Sequence, residues 1–251
     1  MILRDKWEER ACKYQNKTRG VLFQGLPDSI NEMINQWHGA IVQSCVVKLL
    51  PSKAHVVDLG SGYGRMSDII QQNIPDSMLV GLDFSYNYCQ AYAAKYGSVV
   101  CADIKKLPFL PNHWDGILVV TSLMYIEGAQ CKATVDEIID TLKPGGVALF
   151  VDPGFEIIKI LRYFFKILGK KTTDGEGFSQ YSYLKLFENN KIIVVNKGGN
   201  AMFTIFLPIL MLIHNRPIMI RFFCKWITSF DVYLKFYFKY SLHRWVLIRR
   251  V

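Results

Sequence analysis

The six cysteines, at positions 12, 45, 89, 101, 131 and 224, form no Cys-x-x-Cys pair. Scattered thiols of this kind build neither a zinc site nor a compact disulfide framework, and they read as small buried hydrophobes. Histidines 38, 55, 113, 214 and 243 show no metal-ligand spacing among themselves, so no metal is expected. A Walker loop is missing, because no glycine-rich stretch continues into Gly-Lys-Ser/Thr. No apolar run reaches the roughly 20 residues that a spanning helix needs; AMFTIFLPILMLI (201–213) contains a proline and stops short. The opening MILRDKWEERACKY is charged and lacks the apolar stretch of a secretory signal. Free thiols and a charged start together predict a cytoplasmic, reducing location. There is no internal repeat and no low-complexity tract.

Acidic residues are scarce in one place. Residues 201–251 hold 8 Lys+Arg and a single acid, Asp231, whereas residues 1–200 hold 22 Lys+Arg against 20 Asp+Glu. Most of the chain's net charge of +9 therefore sits in its last fifth, with 12 of its 34 aromatic residues. A basic, aromatic segment on a nearly neutral body marks a boundary.

What is present is an alternation. Residues 28–50 place Ile30, Met33, Ile34, Trp37, Ile41, Val42, Cys45, Val46 and Leu49 at a 3.6-residue period, which predicts an amphipathic helix ending before Pro51. Short apolar runs predict strands at 55–59, 78–83, 98–102, 114–121 and 147–151. Helical patterns lie at 65–73, 86–96 and 132–142. This order predicts a parallel sheet with helices on both faces. After it come a helical 178–189, a strand at 191–199 and a last strand within 241–250.

The first strand, HVVDL, runs into GSGYG (60–64). Strand, glycine loop and helix in that order let backbone N–H groups approach a ligand. The spacing is G-x-G-x-G, with Arg65 next, and not the G-x-G-x-x-G of a nicotinamide-dinucleotide fingerprint. The second strand ends in Asp83, placed to accept both hydroxyls of a ribose. The third ends in Asp103, within reach of an exocyclic amine, and Phe84 and Ile104 follow these acids as the two sides of a base sandwich.

These motifs, together with GLDFS (81–85), ADIKKLPF (102–109), WDGILVVTSLMYI (114–126) and LKPGG (142–146), resemble the class I S-adenosylmethionine-dependent methyltransferases of the small-molecule, type 11 kind. The resemblance covers roughly residues 50–152. It implies an α/β, Rossmann-like, seven-stranded, mostly parallel sheet with helices on both faces and the last strand antiparallel. An N-terminal cap (1–50), a cofactor-binding core (51–200), a helical insertion (201–240) and the final core strand (241–251) would follow. It implies S-adenosyl-L-methionine as cofactor. Asp58 would orient the loop and reach the methionine amino group. Gly60, Ser61, Gly62 and Gly64 would let the chain approach the methionine and ribose. Asp83 would hold the ribose, Asp103 and Ile104 would read the adenine beside Phe84, and Thr121 and Ser122 would lie beneath the sulfonium. Ser61 departs from the more usual cysteine, at a position where the contact is mainly backbone. The rival reading is a catalytically silent nucleoside-binding or membrane-adaptor module on the same fold.

Methyl transfer needs alignment more than a base, and the sequence singles out no catalytic residue. Three candidates near the expected carboxyl edge are Tyr125, Asp152 and His38, each with a structural reading beside it: pocket lining, turn residue and core histidine. The acceptor stays open among a small metabolite, a glycan and a lipid-linked molecule.

Taken as one helix, 214–243 gathers His214, Arg221, Lys225, Thr228, Asp231, Lys235, Lys239 and His243 on one stripe amid aromatic and aliphatic residues, with a break near 215–217. Three readings remain: a lid over the acceptor side, interfacial attachment to an anionic membrane face, and a nucleic-acid groove. The single stripe, with little aromatic interleaving, argues against nucleic acid. FEIIKILRYFFKILGKK (155–171) is a second apolar-aromatic run with a basic end, readable as a core helix or as a border of the acceptor site.

Overall fold

The computed structural model describes residues 3–167, 169, 175–237 and 239–251. In chain order its helices are α1 (Leu3–Tyr14), α2 (Thr18–Val21), α3 (Asp28–Ile41), α4 (Ser67–Asn73), α5 (Tyr86–Tyr96), α6 (Gly128–Thr141), α7 (Phe155–Ile167), α8 (Gln180–Lys185), α9 (Ala201–Ile213) and α10 (Pro217–Leu234). The strands are β1 (His55–Leu59), β2 (Met78–Asp83), β3 (Val99–Cys101), β4 (Trp114–Val120), β5 (Leu142–Pro153), β6 (Ile192–Gly199) and β7 (His243–Arg250).

They form one sheet in the order β3-β2-β1-β4-β5-β7-β6. β1 to β5 run parallel, and β7 lies antiparallel to both β5 and β6. The chain steps outward from β1 to β3, then returns to β4 on the other side of β1. That reversal opens a crevice at the carboxyl ends of β1 and β4, where open α/β sheets bind ligands.

The central strands read as near-continuous apolar runs because both faces are covered. One face packs Ile117, Val119, Ala148, Phe150, Val246 and Ile248 against α6 and the α8 region through Val135, Ile138, Ile139 and Tyr183. The other packs Val56, Leu118, Leu149, Val151 and Leu247 against Trp37, Ile41, Val46 and Ile70. A third core contains no strand residue. Ile30, Met33 and Ile34 of α3 meet residues of α7, α9 and α10, among them Phe165, Phe203, Leu210 and Ile227. α7 and α9 leave from the carboxyl ends of β5 and β6, and the chain returns to that edge at His243, paired with Pro153. The third core therefore sits over the carboxyl edge.

The differences from the sequence expectation are local. The predicted helix over 28–50 is regular only to Ile41, then continues through a wide turn at Val42–Val46 and a tight one at Val47–Leu49. The expected helix at 178–189 shortens to α8. The single stripe over 214–243 does not survive. Lys235 takes φ 50° and ends α10, so Lys239 lies outside the helix and His243 is a buried strand residue. Asp231, placed by the stripe on a polar face, points inward: it is 2% exposed, and its two oxygens accept the Met202 and Phe203 amides at 2.8 and 3.0 Å. The basic end of the 155–171 run, Lys170 and Lys171, lies outside the described residues.

Asp231 thus caps α9 from another helix, satisfying amides that would otherwise be buried and unpaired. Asp231→Ala is expected to lower stability by about 1–2 kcal/mol, a fall of a few degrees in Tm, with Asp231→Asn losing less because it keeps one acceptor. An unchanged Tm in the alanine variant would mean that other groups satisfy the start of α9.

Candidate functional site

β1 delivers the chain to Gly60 and Gly62, which take φ values of 73° and 53°. A Cβ on Gly60 would stand 2.1 Å from Ser122 Oγ, in the loop after β4, so no side chain fits. The loop is pinned to β2. Gly60 and Ser61 donate their amides to the Leu82 carbonyl at 2.7 and 3.0 Å, and Gly62 donates to Asp83 Oδ2 at 2.8 Å. Asp83 Oδ1 accepts the Ser85 amide at 2.9 Å. The Phe84 amide also bonds this carboxylate, whose oxygens together can accept more than these donors.

Around this loop lies a cavity of about 410 Å³, within the size range of small-molecule sites. Glycine loop, Asp83, Phe84, Asp103, Ile104, Thr121 and Tyr125 all line it. Thr121 is the end of the β4 edge, and its φ of 60° is costly for a β-branched residue. Its amide is held by the Val151 carbonyl at 2.7 Å.

The roof is α1. Leu3, Arg4 and Trp7 line the cavity, and the Trp7 ring meets Tyr125 edge-on with centroids 5.4 Å apart. Glu8 holds α1 in place. Its carboxylate accepts the Tyr86 and Asn87 amides at 2.5 and 3.2 Å, Asn87 Nδ2 at 2.6 Å and Ser85 Oγ at 3.1 Å. Burial would raise its pKa, but these donors at the start of α5 outweigh it and hold the carboxyl below its ordinary value.

Of the residues named from sequence, Gly60, Ser61, Gly62, Asp83, Phe84, Asp103, Ile104 and Thr121 come together in this cavity, with Ser122 and Tyr125. Asp103 lies at its rim: its side chain is 49% exposed and engages the Lys105 amide at 2.9 Å and Lys105 Nζ at 3.3 Å. Gly64 does not line the cavity. A Cβ there would lie 2.5 Å from the Tyr96 ring, so packing and a φ of 88° require the glycine, in place of the ligand approach expected of it. Asp58 also lies behind the wall, accepting Ser67 Oγ at 2.9 Å. His38 and Asp152 stand away from the cavity. His38 is fully buried, its Nδ1 2.9 Å from Arg65 Nη1. Asp152 is buried beneath the loop after β4, accepting the Met124 amide at 3.1 Å and the Tyr183 hydroxyl at 3.3 Å, and burial raises its pKa well above the usual range. The sequence reading missed α1, Tyr88 and Arg65, which also line the cavity. Its available signal was the spacing of Leu3, Trp7 and Ala11, four apart in a charged segment.

A buried carboxylate at a strand tip, a loop whose Gly60 leaves no room for a side chain and an unpartnered, buried Ser61 Oγ suit a ligand carrying hydroxyls and an apolar base. Among the described residues no group of three or more His, Cys, Asp or Glu could hold a metal ion.

A sequence-family profile described as "Methyltransferase domain" matches residues 56–146. A malonyl-[acyl-carrier protein] O-methyltransferase of Herminiimonas arsenicoxydans is 31% identical over 43% of this chain and 42% of its own. A carboxy-S-adenosyl-L-methionine synthase of Campylobacter curvus is 27% identical over 57% of this chain and 63% of its own. This chain thus spans less than two thirds of the length of these curated relatives. Among solved structures, a chain from a complex containing the Haloferax volcanii Trm112 methyltransferase activator superposes with a TM-score of 0.62 at 17% identity, covering 99% of both chains. At that identity the likeness is one of fold.

Burial raises Asp83 to about 6, against the hydrogen bonds from Ser85 and Gly62. The folded state therefore takes this proton more readily than the unfolded chain, and the contribution is present at low pH and lost as pH rises through about 6. His38 and His243, buried neutral, act in the opposite sense. The informative quantity is thus the difference from Asp83→Asn, which cannot ionise. Its stability relative to the parent should rise by on the order of 1–3 kcal/mol from about pH 4 to pH 7.5 in urea denaturation. A pH-independent difference would remove the cost assigned to burying this charge.

Proposed function

We propose that this chain, which carries a class I S-adenosylmethionine-dependent methyltransferase domain over residues 56–146, methylates an apolar small-molecule or lipid-linked acceptor. The observation that carries the cofactor half is the Asp83 carboxylate, held by backbone amides beside the glycine loop on the cavity wall. When bound, S-adenosylmethionine supplies an electrophilic methyl group on a sulfonium, and the transfer is an in-line displacement.

The residues of this chain bind and align. Asp83 accepts the ribose hydroxyls. Phe84 and Ile104 flank the adenine, with Asp103 at its edge. The Gly60–Gly62 backbone lies against the methionine and ribose. Thr121, Ser122 and Tyr125 form the wall on the acceptor side. Trp7, closing over Tyr125, excludes water. Holding donor and acceptor in line in a dry site is the main source of acceleration in such a reaction. Tyr125 is the one sequence-derived catalytic candidate that faces the cavity, and its role is to pack against the acceptor. Asp152 and His38 act through what they position: the Met124 amide and the Arg65 guanidinium.

What supports an apolar acceptor is the third core over the carboxyl edge, built from apolar helices with further apolar side chains left outside. The carrier-protein substrate in the name of the Herminiimonas relative belongs to that protein; a carrier-bound acyl group is the competing acceptor class here.

Asp83→Ala should weaken S-adenosylhomocysteine binding by about 1–3 kcal/mol, from unpaired hydroxyls in a buried site, measured by calorimetry. Unchanged affinity would mean the ribose is misplaced. Transfer of methyl label from the cofactor into a host-cell extract, followed by separation of phases, tests the acceptor. Label in the organic phase supports the lipid reading. Label in the aqueous or acid-precipitable fraction overturns it in favour of a soluble metabolite or a carrier-bound acyl group.

A further inference from the structure

The outer surfaces of α7, α9 and α10 have a composition unlike the rest of the molecule. In α10 the inward residues Ile220, Cys224 and Ile227 are buried, while Ile218, Phe222, Trp226 and Tyr233 project on the opposite side at about 100° per residue. In α9, Phe203, Leu207 and Leu210 face the third core, and Ile205, Ile209 and Leu212 face out. Exposure is high at the turn between the two helices, where Leu212 and Ile218 are 84% and 82% exposed, and again at Tyr233 near the end of α10, at 84%. Phe164 and Ile167 of α7 add further exposed apolar area. So many exposed large apolar side chains on three helices exceed the scattered exposure normal for a protein surface.

The charges accompanying this area have one sign. Arg216, Arg221, Lys225, Lys235 and Lys239 are exposed along or beside α10, and Lys159 and Lys166 on α7. The two acids of these segments are turned inward: Asp231 caps α9, and Glu156 pairs with Arg244. Among the described residues the three helices thus present no exposed carboxylate.

We propose that this face docks on an anionic lipid surface, with the α9–α10 turn and the outer side of α10 in the acyl boundary and the basic side chains at the headgroups. The charge pattern selects this occupant. A second copy of the chain would bring two cationic faces together at a like-charge cost. An anionic bilayer offers complementary charge and an apolar interior at once, as interfacial helices require. The attachment lies along the surface, since no helix among the described residues is long and apolar enough to cross a membrane.

The test is flotation of the whole protein with phosphatidylcholine vesicles, with and without about 30% phosphatidylglycerol, at low and high salt. The parent is expected to float with the anionic vesicles, to stay behind with neutral ones, and to release as salt rises. Leu212→Glu with Ile218→Glu, and separately Arg221→Glu with Lys225→Glu, should each cut the bound fraction at least tenfold. All four positions are exposed, so the melting temperature should hold. Failure of the parent to float, equal binding to neutral vesicles, or unaffected binding by folded variants would overturn the proposal. So would a dimer in sedimentation that the first variant abolishes, which would assign the face to a second copy. None of these readouts depends on methyl transfer, so the two proposals stand or fall separately.

Discussion

The Asp83 carboxylate organises the site before any ligand arrives. It sits at the end of β2, buried, and its two oxygens reach in different directions: one to the glycine loop after β1, the other to the start of α5. A neutral residue could satisfy one of these amides and not both. The charge also costs something, since burial pushes its pKa to about 6. A group that is expensive to bury and bonded to two separate elements is characteristic of a site prepared for a ligand that completes its hydrogen bonding. The rest follows from its position. Gly60 must lie close to Ser122, so the loop after β4 is drawn to the same crevice, and Thr121 accepts a strained backbone to make that turn.

The third core answers a different need. The carboxyl edge would be open to water on the side of β5 and β7, and α3, α7, α9 and α10 cover that side. Their packing is apolar and internal to the layer, apart from anchoring bonds such as Ser29 Oγ to the His214 carbonyl and Thr204 Oγ1 to the Leu242 amide. A single layer of helices over an edge buries only its inner side. If water alone covered the outer side, polar residues would be expected there. The aromatic and aliphatic side chains found there among the exposed Lys and Arg are what distinguish this layer from an ordinary lid.

Much of this was legible in the chain. Alternating apolar runs gave the parallel sheet, because strands covered on both faces cannot hide their composition. The acids at the tips of β2 and β3 and the G-x-G-x-G spacing located the crevice, because strand ends are fixed by short-range pattern. Gly64 misled for the same reason: a glycine in series with two others looks alike whether a ligand or Tyr96 fills the space beside it. The stripe over 214–243 misled because helical projection assumes one unbroken helix, and Asp231, within α10, because projection does not show what stands opposite a polar residue. The left-handed turn at Lys235 and the amides of α9 are tertiary facts. α1 carried a visible Leu3–Trp7–Ala11 spacing, but nothing local says that Glu8 caps a helix 78 residues away.

The two helical coverings of the carboxyl edge differ in kind: among the described residues α1 lines the cavity, and α3, α7, α9 and α10 contribute no residue to its lining. α1 is held by the Glu8 cap on α5, by Arg10 donating to the Leu22 carbonyl at 2.7 Å, by the Trp7 ring against Tyr88 and Tyr125 and by the buried Ala11. Net hydrogen bonds to a charged group contribute about 1.5–3 kcal/mol each at most, and less where water competes. The third core buries more than a dozen apolar side chains, each contributing about 1.5–3 kcal/mol. Opening α1 is therefore far cheaper than parting α3 from α9 and α10. The attachment of α1 over the glycine loop is therefore the weaker of the two, and the layer built on the third core the stronger.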